Sequence, residues 1–129
     1  MKITDYRGRI TFFDASDPNR KSDGIVRDMR KVILASTPTM TKIGVDVRYV
    51  HQRVISDYQL VFLKSGTGWS GTVSSTDLGI TNSIIRGLSV TETDLGVSIK
   101  GTWLEGGVCY PFTIDGSVIQ NRESDDDTA

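Results

Sequence analysis

At 129 residues the chain is the size of one domain and can bury a core without disulfides or a structural metal. With 37% hydrophobic and 24% charged residues it fits neither a disordered nor a fibrous class, and a lone cysteine, Cys109, excludes an intrachain disulfide. The net charge of −1 divides into +5 over residues 1–64 and −6 over residues 65–129, a polarity that suits either a basic surface for phosphates or two complementary surfaces on copies of the chain.

Residues 1–7 carry charge where a signal peptide needs an apolar run, and no later stretch reaches the length of a membrane span. A cytoplasmic protein with no membrane span is therefore expected. Residues 9–14 read as a short strand, with Ile10 and Phe12 on one side and Thr11 and Phe13 on the other. Asp14, Ser16, Asp17, Pro18 and Asn19 then supply turn chemistry. In residues 25–34 the apolar positions Ile25, Val26, Met29, Val32 and Ile33 form a stripe roughly 120° wide on a helix. The spacing predicts an amphipathic helix that Ser22 or Asp23 caps, that Pro38 ends, and whose outer face carries Arg27, Arg30 and Lys31.

Beyond Pro38 the period becomes two. Ile43, Val45, Val47 and Tyr49 alternate with Lys42, Gly44, Asp46 and Arg48, the pattern of a strand with one buried face. Residues 58–64 are apolar on both sides and read as a central strand. Three more periodic segments follow at 84–91, 95–104 and 108–114. Glu105-Gly106-Gly107 joins the last two in a hairpin, and Pro111 suggests a sheet edge or a bulge. Asp115-Gly116 reads as a further turn into a short strand at 117–120. The acidic residues 121–129 have too little apolar content to pack and are expected to be disordered. The fold expected is mainly β: one domain over residues 1–120, an antiparallel sandwich or barrel of about seven to eight strands with one N-terminal amphipathic helix.

Motifs for chemistry are thin. Gly66-Thr67-Gly68-Trp69-Ser70-Gly71 has the spacing of a dinucleotide loop, but no helix follows it and no βαβ unit surrounds it, so it reads as a hairpin tip. What remains of it is Trp69, a large ring on a polar loop. His51 is the only histidine; with Ser56 and Asp57 it sketches a hydrolase triad that sequence proximity does not establish. Cys109 has no neighbouring cation to activate it, and one histidine with one cysteine is a poor start for a zinc site. No metal, cofactor or catalytic residue is expected.

The reading that follows is a non-catalytic binding or assembly protein. It would be a homo-oligomer that presents basic residues to an anionic partner such as RNA, a nucleotide or an acidic protein. The alternative is a binder of nucleotide-type small molecules, in which Trp69 stacks a ring and arginines hold phosphates. The residues named for anion or ligand binding are Arg27, Arg30, Lys31, Arg48 and Trp69.

Overall fold

The computed structural model describes residues 1–34, 39–51 and 53–123. Within them, eight strands follow one another as an up-and-down meander and close into an antiparallel barrel. They are β1 (Lys2–Asp14), β2 (Asp17–Leu34), β3 (Met40–His51), β4 (Val54–Ser65), β5 (Gly68–Ser75), β6 (Ile80–Glu92), β7 (Gly96–Glu105) and β8 (Val108–Glu123). The first and last strands pair from Lys2 with Glu123 to Phe12 with Phe112, so the closed sheet leaves no open edge. No helix among the described residues is long and apolar enough to cross a membrane.

Side chains alternate across the wall. Ile10 on β1, Val45 on β3, Leu60 on β4, Ile99 on β7 and Ile114 on β8 fill the middle of the barrel with Phe62 and Phe112, all but sealed from solvent. Glycines sit where rings press against the wall. A methyl group at Gly101 would lie 2.6 Å from Cγ2 of Ile85 and 3.1 Å from Cζ of Phe112.

The N-terminal helix expected over residues 25–34 is not formed; these residues belong to β2. The cause is a bulge. Val26 pairs with Val47 but Asp28 pairs with Asp46, which inserts one extra residue into β2 at Arg27. Val26 and the buried Met29 thus lie over Val47 and Val45 although they are three residues apart, while Ile25 stands exposed on the outside. A strand that slips phase once imitates the spacing of a helix. A second bulge, at Gly87 with φ +60°, resets β6 between Arg86 and Ser89.

The turn expected at Asp115-Gly116 is also absent. β8 runs straight through, with Asp115 opposite Arg9 and Gly116 opposite Gly8. Gly116 is there for room: a methyl group on it would meet Cε of Met29 at 2.8 Å. The strand continues through Asn121 and Arg122 to Glu123, which pair with β1 inside the segment expected to be disordered; residues 124–129 lie outside the described residues. Pro111 lies beyond the last registered pair of β8 with β1, where the ladder on that side has already ended.

Candidate functional site

A meander places the β1–β2, β3–β4, β5–β6 and β7–β8 hairpins at one end of the barrel and the remaining connections at the other. At the second end the lumen is crossed by an ion pair. Lys31 on β2 and Glu92 on β6, strands on opposite walls, meet with Nζ and Oε1 3.0 Å apart, with the Tyr6 side chain close to Lys31. Trp69 lies on β5 just past the β4–β5 hairpin at this end, packed against the core with the Lys64 ammonium 5.9 Å from its ring centre.

The first end is open. There the inward rows of the strands finish in aromatic rings, and these bound a cavity of about 600 Å³, within the range of small-molecule sites. Phe12 and Tyr49 meet edge to face at 5.5 Å, and the Tyr49 hydroxyl is 3.0 Å from the Ser22 hydroxyl. Across the lumen from Tyr49, Trp103 of β7 packs edge to face with Tyr58 of β4 at 5.1 Å and tilted against Tyr110 of β8 at 5.5 Å. The chain places rings here because Trp103 and Tyr110 are register partners on either side of the Glu105-Gly106-Gly107 turn, while Tyr58 follows Ser56 near the start of the buried row of β4.

Two features of this wall are chemical. Trp103 is buried, and its indole Nε1 has no hydrogen-bond partner among the described residues. An orphaned buried donor costs about 1–3 kcal/mol, and no other buried side-chain nitrogen or oxygen among the described residues lacks a partner. Burial, with a smaller push from the Glu105 carboxylate, raises the Tyr58 phenol to about 12, so it stays a neutral donor. Burial likewise raises the Glu105 carboxyl above its ordinary value.

The lip opposite is polar. Asn19, Arg20, Lys21 and Ser22 from the start of β2 line it together with Asp14. The three carboxylates of the β1–β2 hairpin are turned onto their own hairpin. Asp14 accepts from the Ser16 amide and hydroxyl, Asp17 from the Asn19 amide, and Asp23 from the Thr11 hydroxyl. Neither Arg20 nor Lys21 makes an ion pair among the described residues.

No family model, curated protein or solved structure matches this chain. The site therefore has to be read from its own geometry.

The residues named from the sequence are not gathered at the cavity. Arg48 makes a two-point contact with Asp57 at 2.9 and 3.2 Å, and Arg27 approaches the same carboxylate at 4.0 Å. Arg30 bonds Asp5 at 3.2 Å, and Arg122 shares that carboxylate at 2.8 Å. Lys31 belongs to the closed end, and so does Trp69. The charge halves of the sequence thus interleave, with Lys31–Glu92 and Arg122–Asp5 joining the basic half to the acidic one. The side chain of His51 lies outside the described residues, and Asp57 of the sketched triad is occupied by arginines. No group of metal-ligating side chains occurs among the described residues.

Sequence reasoning missed Phe12, Tyr49, Tyr58, Trp103 and Tyr110. One signal was present: each is an inward residue close to the turn that ends or begins its strand, and in a meander alternate turns share an end.

Proposed function

We propose that this protein binds a small organic molecule in the aromatic cavity at the open end of its barrel, with no chemistry performed on it. Eight-stranded barrels have interiors just wide enough to be filled by side chains or to hold one small ligand. Here the middle is filled and one end is crossed by Lys31 and Glu92, which leaves the open end for a guest. The observation that carries the reading is the cavity of about 600 Å³ itself, walled by the rings of Phe12, Tyr49, Tyr58, Trp103 and Tyr110. A planar guest would stack on those rings.

The docking role, by contrast, asks Arg27, Arg30, Lys31 and Arg48 to leave carboxylates they already contact, and the closed sheet offers no free edge for assembly. The cavity reading needs no such exchange.

Thermal unfolding against a panel of planar heteroaromatic compounds tests it. A ligand at about 100 times its dissociation constant adds about 2.7 kcal/mol of stability, which raises the melting temperature by several degrees. Tryptophan emission should change with the same midpoint, because Trp103 lines the site. If no compound moves either signal, the cavity is only a wide barrel mouth.

A further inference from the structure

Resting on the cavity reading, we propose that the ligand is an aromatic anion, its ring held by the aromatic wall and its acidic group by Arg20 and Lys21. Arg20 lines the cavity at its lip, in the irregular stretch of β2 beyond the last regular pair with β1, Phe13 with Lys21. Lys21 adjoins it on the same lip. Two cations thus stand against one carboxylate in the cavity lining, Asp14, which keeps its charge and acts on Arg20 beyond ion-pair distance. Asp14, Asp17 and Asp23 are each committed to hydrogen bonds within their own hairpin.

The contrast with the rest of β2 is the point. Arg27, Arg30 and Lys31 on the same strand all make ion pairs with carboxylates, whereas among the described residues the two cations at the cavity make none within 4 Å, and Asp14 acts on Arg20 only from farther off. Cations without an ion pair among the described residues also occur elsewhere, as at Arg86, but among the described residues only Arg20 and Lys21 line the aromatic cavity. The guest therefore needs a flat apolar body and a carboxylate, sulfonate or phosphate at one end.

A matched pair of probes tests the class. Anilinonaphthalene sulfonate and phenylnaphthylamine share their rings and differ in the sulfonate. They are titrated into a Trp69→Phe protein, where Trp103 is the remaining tryptophan and its quenching reports occupancy of this cavity. The sulfonate should bind at least about tenfold more tightly at low ionic strength, with the advantage shrinking as salt rises. An Arg20→Gln, Lys21→Gln double variant should bring the ratio of the two affinities close to one, while Arg86→Gln leaves the ratio as it was. Equal binding of both probes to the unaltered lip, or a ratio that survives the double variant, overturns the anion assignment but keeps the cavity. If neither probe quenches Trp103, both readings fail together.

Discussion

Replacing Trp103 by phenylalanine should cost unusually little stability for a truncation at a site this buried. The substitution removes the pyrrole portion of a side chain that is only 4% exposed, and lost transfer energy plus residual cavity would ordinarily destabilise by about 1–2 kcal/mol. It also removes Nε1, the buried donor without a partner, and relief of that penalty is about 1–3 kcal/mol in the other direction. The two effects nearly cancel, leaving a net change within about 1 kcal/mol. Phe112→Leu is the comparison: an equally buried ring with no polar atom, for which nothing offsets a loss of about 1–2 kcal/mol. Urea unfolding followed by far-ultraviolet circular dichroism gives both midpoints without relying on the altered tryptophan. Should Trp103→Phe fall as far as Phe112→Leu, the indole already has an acceptor in solution and its burial carries no such penalty.

Two further outcomes follow from the same geometry. Gly101→Ala drives a methyl group into Ile85 and Phe112, an overpacking cost of about 1–3 kcal/mol that the stiffer unfolded chain offsets by about 0.4–1 kcal/mol. A net loss near 1–2 kcal/mol is expected in urea melts, and a double-mutant cycle with Ile85→Ala should show the two changes to be less than additive; strict additivity would mean that the contact is not made. Asp5 accepts from Arg122 and Gln120 and lies beside Arg30, and these contacts lower its carboxyl to about 2 despite partial burial. Its folded value is below the unfolded value of about 3.9, so the stabilisation is complete above that pH and disappears as pH falls through about 2. Because the arginine partners are well exposed, about 1 kcal/mol is at stake. Asp5→Asn should lose that amount at neutral pH and flatten the acid limb of the stability profile between pH 4 and 2, as read by urea midpoints across pH.

Alternation in the chain was enough to establish an antiparallel β domain with a single apolar interior. Ile43, Val45 and Val47 face inward as their spacing says, and the hairpin at Glu105-Gly106-Gly107 forms where its glycines, with φ +56° and +79°, demand. Local pattern failed where phase was broken. The bulge at Arg27 made a strand look helical, and Gly116, placed for the approach of Met29, looked like a turn. Neither is visible without the partner strand, because a bulge is defined by register and a space-giving glycine by what fills the space.

The candidate site depended still more on closure. Phe12, Tyr49, Tyr58, Trp103 and Tyr110 come from five strands, and only the curling of the sheet from β1 back to β8 turns five strand ends into one cavity wall. The arginines show the converse: a run of cations along the sequence became a set of ion pairs once β2 lay between β1 and β3, with Asp5 and Asp57 in reach. Side-chain chemistry and period are properties of neighbours in sequence, so the chain alone settled strand character and which faces are apolar. Which charges are neutralised, which donor is stranded and where space remains are properties of neighbours across the barrel, and only the folded sheet decided them.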